Sequence, residues 1–326
     1  MLVKILRAAG GFAAALATSA AVALAPAPAP LAKPEVLTVG YVKVGHLAPL
    51  LAVAEELKKL KVEVKAVEFV RYADARTALL SGAIDVGAIG PADLIIALSQ
   101  GNRSLVGLTG VASSDKFLVV RKGVAIKDWK DLAGKRIGIA PGSAVWFQWA
   151  ATLAEKNIPY SSFNAVNIQG CGTAFVLALK RGDIDAFLCW EPFESQVVAD
   201  GAAYFARGLE YGHASATGAE LGLLATHRGV LATKGEALRR FLWAYLNSEQ
   251  KLAADPSAFA NAYAQYTGLA LPVARESAKS IKLGGVLDAN QLKRQAAAFF
   301  KLGVIQKDVS AEIGNAFDDG LVKALR

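Results

Sequence analysis

The sequence has 326 residues, 54% of them hydrophobic and 20% charged, and its formal net charge is +8. A hydrophobic content this high excludes an intrinsically disordered protein, and the length predicts two lobes in place of one compact domain. The basic residues are spread along the chain without forming a Lys/Arg block, so we expect no nucleic-acid partner.

The first thirty residues have the pattern of a secretory signal peptide. Lys4 and Arg7 precede a charge-free, alanine-rich run that ends in Pro-Ala repeats, and these repeats argue against the alternative of a membrane anchor. Cleavage after Ala23 or after Ala32 fits the small residues of the run, and we take 1–32 as the signal peptide. We therefore expect export to the periplasm, without a lipid anchor because no cysteine lies near the cleavage region.

From residue 35 the chain alternates short β-branched runs with helical stretches. Strands are predicted over 36–42, 62–70 and 84–90, and helices over 47–60, 74–82 and 92–101. This spacing predicts right-handed βαβ units on a parallel sheet. Two extended runs, 105–113 and 116–123, then follow without a helix between them.

A second copy of the pattern occupies residues 128–190. A phrase made of a helix end, a glycine, Ile-Asp and a small apolar strand occurs twice, at 79–91 and at 179–192. The repeat predicts two similar lobes, with an extended return at 220–233 and mostly helices after it. The predicted boundaries are 33–115 plus 220–326 for lobe 1 and 116–219 for lobe 2, with hinge crossings near 113–123 and 220–233.

Four short motifs occur in a fixed order along the chain. They are G-Y-x7-P-L at 40–50, S-G-x-I-D-V-G-x-x-G at 81–90, D-L-x-G-K-R-I-G at 131–138 and W-E-P-F at 190–193. With the export signal, they resemble the periplasmic solute-binding proteins of ABC importers, in the nitrate/sulfonate/taurine-type branch. The resemblance covers essentially all of 33–326. It implies an α/β fold, the two-lobed periplasmic binding protein type II fold with two hinge crossings, and delivery of the ligand to a membrane permease.

Ligands of open parallel sheets bind outside the carboxyl ends of the strands, so the loops at these ends are the predicted cleft. Several of the loops run into helix N-termini, whose free N–H groups suit an anion. The candidate ligand-binding residues are His46, Arg71, Tyr72, Gly90, Pro91, Ser143, Ala144, Trp146, Cys171, Thr173, Trp190 and Glu191.

Several of these residues have an alternative structural role. Ser143 and Thr173 are also typical N-caps, and Trp146 lies at helical spacing from a second tryptophan and is equally compatible with a core position. Glu191 either contacts the ligand or joins the lobes through a hydrogen bond. His46 sets specificity or is a solvated loop histidine. Arg71 pairs with an acidic ligand or with a nearby surface aspartate.

The cysteines Cys171 and Cys189 both fall near the predicted cleft. Export permits a disulfide, but the first strand of a doubly wound lobe lies between the second and third, which separates the two loops beyond the Cα distance of about 4.4–6.8 Å that a disulfide allows. We therefore expect two thiols or small apolar fillers. His213 and His227 lack metal-ligand spacing, and no G-x-G-x-x-G or P-loop opens a helix, so we expect neither metal nor cofactor.

These observations predict a binding protein and not an enzyme. We expect a monomer that captures a small organic anion, either sulfonate-, taurine- or nitrate-like or a carboxylate, with its organic body against Tyr72, Trp146 and Trp190. One alternative is an enzyme on the same fold, either thiamine-pyrimidine synthase-like or a hydrolase that uses Cys171 and His46. The other is a binding protein for a neutral or cationic heterocyclic vitamin precursor.

Overall fold

The computed structural model describes residues 24–51, 53–168, 172–285 and 287–326. It contains a six-stranded sheet in the order β11-β4-β10-β3-β1-β2 and a five-stranded sheet in the order β7-β6-β8-β5-β9. We call the first sheet with its helices lobe 1 and the second sheet with its helices lobe 2. The strands are β1 (Glu35–Val42), β2 (Val62–Phe69), β3 (Val86–Ile89), β4 (Leu105–Ser114), β5 (Phe117–Arg121), β6 (Arg136–Ile139), β7 (Asn164–Asn167), β8 (Ala186–Phe187), β9 (Ala203–Glu210), β10 (Glu220–His227) and β11 (Ile281–Leu283).

Helices cover the faces of both sheets, and most of the C-terminal part of the chain is helical. The α-helices are α1 (Val53–Lys59), α2 (Tyr72–Leu80), α3 (Pro91–Ser99), α4 (Ala144–Glu155), α5 (Thr173–Arg181), α6 (Phe193–Ala199), α7 (Arg228–Ala254), α8 (Pro256–Thr267), α9 (Leu271–Lys279), α10 (Ala289–Lys301) and α11 (Gly320–Lys323). Short 3-10 helices occur at Gly45–Leu51, Trp129–Leu132, Tyr160–Ser162 and Ser310–Ala316.

The parallel part of each sheet has the predicted strand order. In lobe 1, β1 lies between β2 and β3, and in lobe 2, β6 lies between β7 and β8. The carboxyl ends of these strands therefore meet at one edge of each sheet, which is where the sequence predicts the cleft loops.

The repeated Ile-Asp phrase ties the third strand of each lobe to the first. Asp85 Oδ2 accepts a hydrogen bond from the Thr38 N–H at 2.8 Å, and Asp185 Oδ2 accepts one from the Arg136 N–H at 2.9 Å. The backbone N–H of each aspartate donates in return to the carbonyl of the same partner. The preceding isoleucines lie over a glycine of the first strand, and a Cβ at Gly138 would be 2.8 Å from the Ile184 Cδ1.

The two crossings between the lobes run side by side. The first is Asp115–Lys116, between β4 and β5, and the second is 211–219, between β9 and β10. The Tyr211 N–H donates to the Lys116 carbonyl at 2.9 Å, so the two segments form one hinge. The boundaries predicted for the lobes stay a prediction.

The prediction of an extended crossing at 220–233 is wrong. Residues 220–227 form β10, which pairs with both β3 and β4 inside the sheet of lobe 1. Residues 228–233 are helical, because His227 Nδ1 accepts the Gly229 N–H at 3.0 Å and caps the start of α7. Near the C-terminus, where the sequence predicts mostly helices, the structure has the 3-10 helix Ser310–Ala316 and the short α11.

The lobes pack against each other through α4 and α10. Phe147 belongs to α4 of lobe 2, yet it is buried in the core of lobe 1, where its ring centroid is 4.0 Å from that of Phe299. On the hinge side, Arg294 Nε of α10 donates to the Ser215 carbonyl at 2.9 Å. The C-terminal helices thus help to fix how the two lobes meet.

Most of the predicted signal peptide, 1–23, lies outside the described residues. The segment that follows packs on α7, where Trp243 Nε1 donates to the Ala25 carbonyl and Arg240 Nε donates to the Ala29 carbonyl, both at 2.9 Å. This packing fits cleavage after Ala23 better than after residue 32, and the cleavage site stays a prediction. Within the described ranges, every helix is too short or too polar to cross a membrane.

Candidate functional site

Trp190 lies where the cores of the two lobes come together. It follows β8 at the carboxyl edge of the lobe 2 sheet, and its half-buried ring packs against both cores of lobe 2. The same ring packs against the core of lobe 1. Trp190 is therefore a side chain of lobe 2 that reaches the core of lobe 1.

Trp146 also contacts both lobes. Its ring packs against the core of lobe 1 and against that of lobe 2, and its Nε1 donates to the Tyr160 hydroxyl at 2.8 Å. The Trp146 backbone N–H donates to Ser143 Oγ at 3.3 Å, so Ser143 is an N-cap. Ala144, at the first position of α4, is exposed.

The start of α3 is occupied by a carboxylate of its own helix. The Gly90 N–H donates to Asp93 Oδ2 at 2.9 Å, and Pro91 has no N–H to offer. Arg76 Nη1 donates to Asp93 Oδ1 at 2.8 Å, while burial raises the pKa of the Asp93 carboxyl. A ligand anion at this helix start would have to displace the Asp93 side chain.

Thr173 begins α5 in lobe 2, next to residues outside the described ranges. Gly172 has a φ of +67°, and a Cβ there would lie 2.7 Å from the Phe193 ring, so this close approach requires glycine. Cys171 itself lies outside the described residues, and so does the prediction that it is not bonded to Cys189. Cys189 is buried in the core of lobe 2.

His46 and Tyr72 form a polar pair in lobe 1. His46 Nε2 is 2.6 Å from the Tyr72 hydroxyl. Burial, together with the positive charge of Lys116, lowers the pKa of His46 to about 3, so the imidazole is neutral at pH 7. Arg71 points elsewhere, because its side chain is 74% exposed and pairs with Asp74 at 2.9 Å. Neither residue offers a buried positive charge to a ligand.

Glu191 joins the two lobes. Its carboxylate accepts hydrogen bonds from the Ser195 N–H at 3.0 Å and from Ser195 Oγ at 2.7 Å. It also accepts one from Ser280 Oγ of lobe 1 at 3.2 Å. This is the lobe–lobe hydrogen bond that the sequence analysis gives as the alternative role of Glu191.

Sequence reasoning missed a buried ion pair at the hinge. The Lys116 side chain, in the first crossing, is 1% exposed, and its Nζ is 3.6 Å from Glu194 Oε2 at the start of α6. Lys116 Nζ and Glu194 Oε1 have no hydrogen-bond partner within the described ranges. Burial raises the pKa of the Glu194 carboxyl, Lys116 opposes this shift, and Glu191 adds to it. A lysine directly before an apolar strand was the available signal, but the same pattern is typical of a solvated loop.

The described part of the chain brings no three His, Cys, Asp or Glu side chains together in a way that could hold a metal ion. At the contact between the lobes, the arrangement brings together Trp190, the neutral His46 and the Lys116–Glu194 pair. These groups suit noncovalent binding of a small molecule that has an organic body and a polar head.

The family model described as NMT1/THI5 like matches residues 57–259. The chain belongs to this family. No curated protein sequence matches the chain.

Solved structures confirm the predicted two-lobed periplasmic binding protein fold. The alkanesulfonate-binding protein SsuA from Xanthomonas axonopodis pv. citri, bound to MOPS, is 21% identical with a TM-score of 0.71, over 88% of this chain and 99% of that one. The periplasmic aliphatic sulphonate binding protein SsuA from Escherichia coli is also 21% identical, with a TM-score of 0.73, over 86% and 97%. The periplasmic nitrate-binding protein NrtA from Synechocystis PCC 6803 is 15% identical, with a TM-score of 0.73, over 91% and 89%.

Proposed function

We propose that this chain is an exported, monomeric solute-binding protein that captures a small organic anion between its lobes and delivers it to an ABC importer permease. The observation that carries the proposal is the position of Trp190, which packs against the cores of both lobes at the edge where the strand ends meet. A ligand held there contacts both lobes at once. Such a ligand stabilises the closed arrangement relative to the open one, as expected for a binding protein with a hinge.

The anionic character of the ligand has two supports. The neighbours reported above are sulfonate-binding and nitrate-binding proteins, and both of these ligands are anions. In addition, the Glu191 carboxylate accepts three hydrogen bonds from Ser195 and Ser280. These donors compensate part of a negative charge that would otherwise oppose an anion in the cleft.

A neutral or cationic heterocyclic ligand is the second candidate, and two observations favour it. Arg71 pairs with Asp74 at the surface, and the Asp93 carboxylate already accepts the Gly90 N–H at the start of α3. The Arg71 guanidinium and the N-terminus of α3, both expected to hold an anion, therefore already have carboxylate partners. Flat heterocycles would stack on Trp146 and Trp190 without needing these groups.

An enzyme remains the least supported alternative. A hydrolase built from Cys171 would need His46 as its base, but His46 is paired with the Tyr72 hydroxyl and has a pKa of about 3. A base with so low a pKa is a poor acceptor for the proton of a thiol at pH 7. The solved structures reported above carry the names of binding proteins.

The test is a thermal unfolding screen of the secreted protein. The anions are benzenesulfonate, 2-aminoethanesulfonate, nitrate and benzoate, and the matched neutral controls are benzenesulfonamide and benzamide. An anion present at about 100 times its Kd should stabilise the protein by about 2.7 kcal/mol, which raises Tm by roughly 5 °C.

The neutral amides are expected to leave Tm unchanged. If no anion of the panel raises Tm, or if an amide raises it as much as its acid, the proposal of an anion-binding protein is wrong. In the second case the heterocyclic or neutral ligand becomes the better hypothesis.

A further inference from the structure

The Lys116–Glu194 pair is incompletely satisfied for two charges buried this deeply. Both side chains are at most 3% exposed, and their closest N–O distance, 3.6 Å, is too long for a hydrogen bond. Among the residues that the structure describes, none provides a hydrogen-bond acceptor for the Lys116 ammonium or a donor for Glu194 Oε1. Because buried charges normally have hydrogen-bond partners, such an arrangement indicates a site that a further group occupies.

The pair lies at the inner end of the interlobe contact. Lys116 is part of the crossing between β4 and β5, and Glu194 follows Trp190 by four residues in the loop and helix after β8. His46, from the loop after β1 in lobe 1, is close enough for the charge of Lys116 to lower its pKa. Elements from both lobes and from the hinge therefore surround the Lys116 ammonium.

Lys116 is also the cation best placed to hold a negative group. The buried basic residues of the described chain are Lys116 and Arg240, and Arg240 already donates to the Ala29 and Glu236 carbonyls. Arg71 is exposed and paired, and His46 is neutral. An acidic ligand that reaches the floor of the cleft thus meets one buried positive charge, at Lys116.

We propose that Lys116 binds the negative group of the ligand, that Glu194 is its counter-ion in the ligand-free protein, and that Glu194 takes up a proton when the anion binds. This inference rests on the proposed function and names the residue that confers anion specificity. The protonated carboxyl then donates its O–H to the ligand, so Lys116 and Glu194 both act as donors to the same anion.

The balance of charge makes this exchange favourable. Without ligand, the buried pair is neutral, with one positive and one negative charge. With the anion bound and one proton taken from solvent, the charges are Lys116 positive, the ligand negative and Glu194 neutral, so the buried site is again neutral. If Glu194 stayed ionised, two negative charges would face one ammonium in a site of low dielectric constant.

The groups around Glu194 favour proton uptake. Burial is the main cause that raises its pKa, and the negative charge of Glu191 on the same turn adds to it, with a smaller contribution from Cys189. Lys116 acts in the opposite direction, and the Tyr263 hydroxyl of α8 is the further ionisable group that senses Glu194. An incoming anion cancels the effect of Lys116, so the Glu194 carboxyl becomes protonated.

The experiment is calorimetric titration of the tightest-binding anion of the panel into four proteins. They are wild type, Glu194→Gln, the double variant Lys116→Met/Glu194→Gln and the control Lys58→Met. The double variant keeps the buried site free of net charge, so its folding is not compromised by an unpaired charge, and its Tm is measured first. Lys58 is a 71% exposed lysine of α1 in lobe 1 that pairs with Glu55 on the same helix.

Three results are expected. The double variant binds the anion at least about 30-fold more weakly than wild type, the loss typical of a charged hydrogen bond, whereas Lys58→Met binds it as wild type does. Wild-type affinity falls by up to about tenfold per pH unit as the pH rises above the Glu194 pKa of the free protein, and titrations in buffers of different ionisation enthalpy show uptake of one proton. In Glu194→Gln, both the pH dependence and the proton uptake are lost.

Unchanged affinity in the folded double variant, or anion binding without proton uptake in wild type, would overturn the inference. Either result leaves the proposed function standing, because the anion still binds to wild type. If no anion binds to wild type, the proposed function itself fails, and the two failures are thereby distinguished.

Discussion

The two lobes share a scaffold and differ in the loops that follow it. Each lobe uses the same aspartate contact to join its third strand to its first, through Asp85 in lobe 1 and Asp185 in lobe 2. Immediately after those third strands the lobes diverge. Lobe 1 continues into a helix start capped by Asp93, and lobe 2 continues into Trp190 and the lobe-joining Glu191.

This difference separates structural from functional information in the sequence. The Ile-Asp pair of the repeat, at 84–85 and 184–185, fixes strand pairing and contributes no group to the contact between the lobes. The side chains that contact both lobes or carry a buried charge lie at the end of the second copy, after the strand, or in the hinge. The aspartates also differ in one respect: Asp185 accepts hydrogen bonds from Arg136 and Arg121, whereas Asp85 accepts from Lys234.

Replacing the two aspartates tests whether they are equivalent parts of the scaffold. We expect Asp185→Ala to lower the free energy of unfolding by about 3–4 kcal/mol and Asp85→Ala by about 2–3 kcal/mol, because each leaves a buried backbone N–H and one or more cations without a partner. The larger loss at Asp185 reflects its second arginine. Denaturant unfolding monitored by circular dichroism measures both.

The matched control is Asp183→Ala, two residues before Asp185 and exposed to solvent. This variant should change stability by less than about 0.5 kcal/mol. If Asp85→Ala and Asp183→Ala are equally mild, the equivalence of the two scaffolds is contradicted.

The lobes are also expected to respond to pH in opposite directions. In lobe 1, burial raises the pKa of the Glu249 carboxyl to about 8, so the folded state binds a proton that the unfolded state, with an ordinary pKa near 4.5, releases. Its stabilisation is complete below pH 4.5 and is lost as the pH rises to about 8. In lobe 2, the arginines hold the pKa of Asp185 well below its usual range, so its contribution is lost as the pH falls below 4.

Glu249→Gln isolates the alkaline part of this response. Wild type should lose about 4 kcal/mol more stability than the variant between pH 5 and pH 8.5, since one pKa unit corresponds to about 1.36 kcal/mol. Hydrogen exchange of peptides from α7 locates the loss in lobe 1. Parallel pH profiles for the two proteins would show that Glu249 is ionised in the folded state.

Replacing Trp190 tests the function of the loop that follows the third strand of lobe 2. Trp190→Ala should weaken binding of the tightest panel anion by about 1–2 kcal/mol, or roughly five- to thirtyfold, because the ring loses its contact with the ligand. Trp129→Ala serves as the control, since this tryptophan stacks on Trp149 within lobe 2. Calorimetry that finds the same affinity for Trp190→Ala and wild type, with both folded, assigns Trp190 to packing alone.

The order of the main strands and helices could be predicted because it follows from local hydrophobic patterns and from the glycines at the ends of helices. The patterns failed where the local signal was weak. Strand β9 was not predicted, because Arg207 and Gly208 interrupt its apolar alternation, and Arg207 is accommodated over the Phe117 ring. The short elements β11 and α6 were also not predicted, because neither is long enough to show a hydrophobic period.

The candidate site was harder to predict because burial depends on distant parts of the chain. Lys116 and Glu194 are 78 positions apart, and no local pattern distinguishes a buried lysine from a solvated one. For Arg71 and Glu191, the sequence predicted the position but not the direction of the side chain. Both follow a strand, but their partners, Asp74 and Ser280, determine where the charged groups point.

The central claim is that the ligand is held between the lobes and draws them together. Small-angle X-ray scattering of the secreted protein, with and without a saturating concentration of the tightest panel anion, tests it most directly. Closure about the paired crossings at 115–116 and 211–219 predicts a smaller radius of gyration with the anion than without it. A radius of gyration that is unchanged at full saturation, as verified by calorimetry on the same sample, would contradict the claim.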